Sequence, residues 1–284
     1  MRHQFVLADR EDPHPDLLIE KGRQGNGVGD WVPAMKHMYL AKWIEGTREM
    51  RKRFPDRVLV DLFCGPGRIQ VEGETRTRLG GAQIAWLHSQ LDDTAPFTKC
   101  VTSDIDQARS DACAQRLRAL GAPVEPLCGA AADVVDRAAL LVPPTALCLA
   151  YLDPYSLEFL SWDVITRLAQ LKHVDFAVHF STSDLRRNVK MDFEREGKRF
   201  DKVAPGWRKE IDVQSFFRGD ADDEFFDYWC RQIESLGFTI SQRFPLIRTK
   251  KNAPLYHLVF FSRHASPVRV WGDVAQGVNR ELPF

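Results

Sequence analysis

The chain has 284 residues, 44% of them apolar and 27% charged, enough for one large domain with a small addition or two modest domains, either with a full core. Lysine plus arginine equals aspartate plus glutamate at 39 each, which excludes a uniformly basic nucleic-acid surface but not a local basic patch. No window reaches the roughly 18 apolar residues of a bilayer span, and the start MRHQFVLADRED lacks the order of a signal peptide; no membrane contact and a cytoplasmic location are expected.

Along the chain, the opening stretch through Gly29 is rich in Pro, Asp and Gly and reads as a lead-in or lid. A helix is predicted from Asp30, which can cap it, with Pro33 in the first turn and Trp31, Met35, Met38, Tyr39, Lys42 and Trp43 mostly on one face. Such a stripe usually packs on a core, although Trp31 and Lys36 at the helix start can also reach a ligand. This lead-in and helix occupy residues 1–52.

The central stretch is Arg57 to Arg68, RVLVDLFCGPGR: a buried strand that meets Asp61 and then breaks into Gly65, Pro66 and Gly67. A glycine-rich turn between strand and helix lets a ligand approach bare backbone and offers N–H groups to an anionic group. Phe63, Gly65 and Gly67 are therefore candidate cofactor contacts beside Asp61. The dinucleotide fingerprint would need glycine where Gln70 stands. Residues 69–78 read as a polar loop ahead of the helix AQIAWLHSQL; following the carboxyl end of a strand, this loop can touch substrate or simply be solvated.

The next strand, KCVTSDID, ends in Asp104, Ile105 and Asp106. Asp104 is the first candidate to accept from ribose hydroxyls and Asp106 the second, with Ile105 between them; the structural alternative is that either acid caps the helix QARSDACAQRLRAL. A third strand, APVEPLC, leads to Gly129, Ala130, Ala131 and Ala132, small enough to admit a flat ring, with Asp133 placed to cap DVVDRAALL.

ALCLAYLDPYSLEFLSW has the breadth of a central parallel strand and ends in Asp153, Pro154 and Tyr155, the candidate catalytic residues. VDFAVHF is a fifth strand, followed by STSDLRRN, which places Arg186 and Arg187 beside the site as candidate substrate contacts with Lys36. Residues 191–219 alternate charges with Phe193, Phe200, Trp207 and Phe216 and read as an insertion or cap. With the nearby Arg186, Arg187, Lys190, Arg195, Lys198, Arg199 and Lys202, this is either a phosphate-binding patch or a solvated face. A helix DDEFFDYWCRQIESL follows, then the strands FTISQRFPLIRT and LYHLVFFSR joined by KKNAP, a connection short enough for an antiparallel pair. The expected class is therefore α/β, a doubly wound Rossmann-like sheet, mostly parallel with a closing antiparallel hairpin, over residues 53–190 and 220–265, with a tail at 266–284. The cysteines at 64, 100, 113, 128, 148 and 230 form no C-x-x-C pair and no Cys/His cluster, so reduced core residues and no metal are expected.

The spacing of Asp61, Phe63, Gly65 and Gly67, with the acids of SDID and the closing hairpin, resembles the class I methyltransferases dependent on S-adenosylmethionine. The chain resembles more closely the three-Cys-motif partner protein (TcmP) family, through VGDW with Lys36 and Tyr39 behind it, DLFCGPG, GGAQIA, LDPYSLEFLSW, VDFAVHF, LRRN and PLYHLVFFSRH. Ala82-Gln83 after Gly81, and Ser156 after the tyrosine, depart from the family pattern. The resemblance implies S-adenosylmethionine as cofactor and a partner protein whose cysteine motif looks like a radical-SAM site. It leaves the substrate open.

Asp153-Pro154-Tyr155 resembles the acid-Pro-Pro-aromatic motif of enzymes that methylate exocyclic amines of nucleic-acid bases, with one proline in place of two, and the Asp-Pro-Phe of some transfer-RNA guanine methyltransferases. In this chemistry Asp153 and the Pro154 carbonyl accept the amine N–H and Tyr155 stacks on the base. C5-pyrimidine transfer would need a cysteine after proline, and the chain has no Pro-Cys pair. Three classes stand: a methyltransferase on a nucleic-acid base, one on a protein or small molecule, and an accessory subunit that docks its partner.

Overall fold

In the computed structural model, the described residues are 11–281 apart from 23, 24, 26, 31, 92–94, 196–198, 243, 250 and 251. Trp31 and Lys198, both singled out by sequence, lie outside them.

The helix expected from Asp30 begins instead as a π-helical turn, Val32–His37, and becomes regular as α1, Met38–Gly46, with α2, Arg48–Arg51, behind it. β1, Arg57–Asp61, is apolar on both faces, as a central parallel strand must be. The stretch 69–78, expected as a loop, forms a hairpin of β2, Arg68–Gln70, and β3, Thr77–Leu79. Glu20 and Val28 each make an isolated parallel bridge onto this region, at Ile69 and Val71, so the lead-in supplies the partners that hold so short a ladder.

Helix α3, Gly81–Ser89, leads to β4, Lys99–Asp104, and α4, Gln107–Ala119, to β5, Val124–Cys128. Then come α5, Ala131–Leu140, β6, Leu147–Leu152, α6, Trp162–Leu168, β7, His173–Phe180, and α7, Thr182–Glu194. Asp133 is not the cap of α5; Ala130 holds that position in extended conformation and Asp133 lies in the first turn. A 3-10 turn, Trp207–Lys209, and α8, Ser215–Arg218, precede α9, Ala221–Ser235. Phe200, Val203, Ala204, Trp207 and Ile211 are buried in the same apolar cluster as the sheet face they cover.

The long strand expected over FTISQRFPLIRT is two short ones, β8, Thr239–Ile240, and β9, Leu246–Arg248, on either side of Pro245, which has no N–H to give a ladder. β10, Pro254–Ser262, is long and antiparallel to β7, β8 and β9, and α10, Ala265–Glu281, closes the chain with Trp271 and Ala275 buried against the sheet and α1.

The main sheet runs β5-β4-β1-β6-β7-β10-β8, parallel from β5 to β7 and antiparallel at β10. This is a doubly wound Rossmann-like sheet of the methyltransferase type, its last inserted strand reversed. One face packs on α5, α6, α7 and α9; the other packs on α1, α3, α4 and α10. The chain reverses direction across the sheet between β1 and β6, which opens a crevice at the carboxyl ends of those strands. Among the described residues no helix is long and apolar enough to cross a membrane. Cys64, Cys100, Cys113 and Cys148 are buried as expected, whereas Cys128, at the end of β5, is exposed.

Candidate active site

A cavity of about 1240 Å³ occupies this crevice, lined from the ends of β1, β4, β5, β6 and β7 and by Glu20, Gly22, Val28, Val32, Lys36 and His37. Ligand sites usually run about 300–1,000 Å³, so it has room for a cofactor and a second group.

At its centre the β1 strand ends in a turn where Gly65 and Gly67 take φ values of +57° and +80°, a region costly for residues with a Cβ. Close approach also fixes Gly81, where a Cβ would stand 2.5 Å from Tyr151 Cε1. The bare turn continues through Phe63, which gives its N–H to Asp61 Oδ1 at 3.0 Å. Asp61 is buried, and burial, with Asp153 and Asp104 adding repulsion, pushes its carboxyl up to about 8. Such an acid suits a ligand that brings positive charge.

Asp104 and Asp106, read as alternatives, separate clearly. Asp106 accepts from the N–H groups of Ala108 and Arg109 at 2.8 and 3.2 Å and caps α4. Asp104 faces the cavity; its Oδ1 accepts the Asp106 N–H at 3.0 Å, and Oδ2 lies 3.4 Å from Arg109 Nε. Arg109 also bonds Glu20 of the lead-in. Ile105 is 71% exposed at the rim, and Gly129 and Ala130 form the floor before α5. Glycine turn, ribose-height acid, apolar rim residue and small floor together fit S-adenosylmethionine, and the ionisable Asp61 fits its positive charge.

The other half of the cavity is organised on Asp153. Lys36 Nζ donates to its Oδ2 at 2.6 Å, Tyr151 OH donates to the same oxygen at 3.2 Å, and His179 Nδ1 lies 2.8 Å from Oδ1. Burial acts to raise its pKa, yet Lys36 and His179 outweigh that and hold the carboxyl well below the usual carboxylate range. Burial lowers His179 despite Asp153, and it lowers the neighbouring His37 to about 3, so both imidazoles are neutral at physiological pH. An ionised carboxylate has about four acceptor positions; the two hydrogen bonds from Lys36 and Tyr151 both fall on Oδ2, which leaves Oδ1, with His179 beside it, to accept. Pro154 lines the cavity beside it, and Tyr155 and Phe159 are 58% and 50% exposed at the mouth.

Arg186 and Arg187 do not join this site. Both sit on α7, where Leu185 and Val189 turn inward; Arg186 is bonded to Asp222 of α9, and Arg187 points outward with Asp184 at 3.9 Å. Lys36 does join it, as a partner of Asp153. Sequence reasoning missed His179, Tyr151, Glu20 and Arg109. His179 alone carried a signal, a polar residue near the carboxyl end of an otherwise apolar central strand.

No family model matches the chain, and no curated protein does. Among solved structures, Trm1 from Pyrococcus horikoshii, a complex with S-adenosyl-L-methionine, is 11% identical over 89% of this chain and 61% of that one, with a TM-score of 0.47. Cofactor-bound Rv0187 from MTB is 12% identical, covers 82% and 89%, and scores 0.44. An rRNA methylase from Streptococcus thermophilus is 12% identical, covers 80% and 93%, and scores 0.39. At such identities and scores the fold rests on the strand order of the chain itself and the chemistry on its site.

Proposed function

We propose that the protein is a methyltransferase that uses S-adenosylmethionine and modifies an amine nitrogen, with the exocyclic amine of a nucleic-acid base as the acceptor favoured by Asp153-Pro154-Tyr155. The observation that carries this reading is the Asp153 carboxylate, kept ionised with its bonds from Lys36 and Tyr151 on Oδ2 and Oδ1 left to accept, in the same cavity as the bare glycine turn. S-adenosylmethionine would supply an electrophilic methyl group on sulfur. The chain's own groups would do the rest. Asp153 Oδ1 and the Pro154 carbonyl accept the N–H groups of the incoming amine and free its lone pair for attack, while Tyr155 offers a face on which a planar acceptor stacks.

A second reading, transfer to a protein or small-molecule amine, is favoured by Arg186, which is tied to Asp222 and does not stand at the cavity mouth. The TcmP resemblance supports a neighbouring radical-SAM-like partner protein, and a docking role without turnover is the third alternative. Two measurements test the proposal together: calorimetry of S-adenosylmethionine binding, and mass spectrometry of cellular nucleic acid from cells with and without the protein. A missing methylated base with binding intact moves the acceptor to the second reading; absent binding overturns the enzyme.

A further inference from the structure

Two buried carboxylates, Asp61 and Asp153, share the cavity, and each raises the cost of ionising the other. Their surroundings differ most in charge. Asp61 receives a single N–H, from Phe63, whereas Asp153 receives the ammonium of Lys36, which arrives on the π-helical turn from 117 residues away. π-Turns are rare and tend to occur where a helix delivers a functional side chain.

We propose that Lys36 is a positioning residue for methyl transfer: bonded to Asp153 Oδ2, it selects Asp153 and not Asp61 as the carboxylate that stays ionised in the cavity, and leaves Oδ1 to accept an N–H. The proposal rests on the reading of Asp153 as the N–H acceptor. The groups that face Asp153 are Lys36 and His37 from the turn, Asp61 from β1, Tyr151 from its own strand, His179 from β7 and Tyr256 from β10. Of these, Lys36 is the one lysine or arginine. Tyr151 and Tyr256 are held in the phenol form by burial, with Asp153 adding to it. Neutral His179 can orient Oδ1 without neutralising it. Remove the ammonium and both acids are left buried in one cavity without a cationic partner.

The test needs neither cofactor nor substrate. Aspartate carboxyl carbons of the full-length protein are labelled with carbon-13 and followed from pH 4 to 9, with Asp61→Asn and Asp153→Asn to assign the two signals. In the unaltered protein Asp153 stays ionised throughout and Asp61 titrates. In Lys36→Met the Asp153 signal shows a titration midpoint inside the pH 4 to 9 window, as Asp61 does. Lys36→Arg restores the original behaviour; should Lys36→Met fail to fold, Lys36→Gln, uncharged but still a donor, gives the same readout. An Asp153 signal in the uncharged variant that matches the unaltered protein overturns the proposal. Failure of the methyltransferase reading would appear separately, as no calorimetric binding of S-adenosylmethionine by the unaltered protein.

Discussion

The carboxylate of Asp12 lies flat against the guanidinium of Arg116, taking Nε at 3.0 Å on one oxygen and Nη2 at 2.8 Å on the other. Arg116 is fully buried and also donates to the carbonyls of Leu18 and Pro66, each at 2.7 Å, so one side chain joins the lead-in to the glycine turn. Removing one member of a buried pair leaves the other charge uncompensated. Asp12→Ala should therefore cost about 3–5 kcal/mol in denaturant unfolding, while Asp16→Ala, at an exposed position four residues on, should change it by less than about 0.5 kcal/mol.

Asp104 and Asp106 should separate in two assays. Asp104→Ala should weaken S-adenosylmethionine binding by about 1–3 kcal/mol, the scale of hydrogen bonds to a charged acceptor. Asp106→Ala should leave affinity in place and lower stability by about 1 kcal/mol, because it removes a helix cap. Calorimetry and thermal unfolding on both variants check this; the reverse pattern would move the ribose contact two residues along.

Asp61 gives a pH dependence of definite sign. Its pKa is raised to about 8 in the folded chain from the ordinary aspartate value of 3.8, chiefly by burial, so folding favours its protonated form. Its contribution to stability is then full below about 4 and is lost as the pH rises towards about 8. Asp175, raised to about 7 by burial against the bond from Ser262, behaves in the same way. Measured as a difference from the unaltered protein, Asp61→Asn should become relatively more stable as the pH climbs through that window. A difference constant with pH would mean that Asp61 is ionised in the folded state throughout.

Tyr155 and Asp153 lie two positions apart in sequence and should differ in stability. Tyr155→Ala removes an exposed ring and should leave the unfolding free energy within about 0.5 kcal/mol, while weakening a planar acceptor by about 1–3 kcal/mol, the worth of one stacking contact. Asp153→Ala strands Lys36 in a buried site and should lower the melting temperature as well as transfer. Equal melting losses in both would place Tyr155 in the packing and not at the substrate.

Arg186 and Arg187 are adjacent yet should differ in what they do for stability. Arg186→Ala strips a partner from the nearly buried Asp222 and should destabilise, whereas Arg187→Ala, with its side chain 62% exposed, should fall within about 0.5 kcal/mol. Neither should alter the salt dependence of substrate association, since neither lines the cavity. A salt-dependent loss in the Arg187 variant would return it to the substrate path.

The parallel strands, their order of appearance and the acids at their ends were legible because each is a local pattern, an apolar run that stops at Asp61, Asp104 or Asp153 and reports its own carboxyl end, whereas the short β2–β3 hairpin was read as a loop because its stretch is polar. Asp106 was legible as an alternative only, since an N-cap and a ribose acceptor ask for the same residue type at nearly the same place. The arginines after VDFAVHF misled because helix phase decides their direction, and the phase is set by Leu185 and Val189 packing inward against the neighbouring core. The hairpin was read too long because Pro245 interrupts the ladder between two apolar stretches. Pairings such as Asp12 with Arg116, Glu20 with Arg109 and Lys36 with Asp153 leave no local trace at all. Each joins segments about ninety residues or more apart in sequence, and only the folded sheet brings them together.

The route of the lead-in across the cavity sets an order on the protein's birth. Lys36 leaves the ribosome 117 residues ahead of Asp153, and at roughly 5–20 residues per second it waits about 6–23 s for that partner. Until β6 has emerged, the lysine-bearing turn has no Asp153 to meet, and that half of the cavity cannot form. Slowing translation within residues 37–152 would therefore lengthen the time in which the amphipathic α1 is exposed without its sheet, an interval in which chaperones would be expected to hold it.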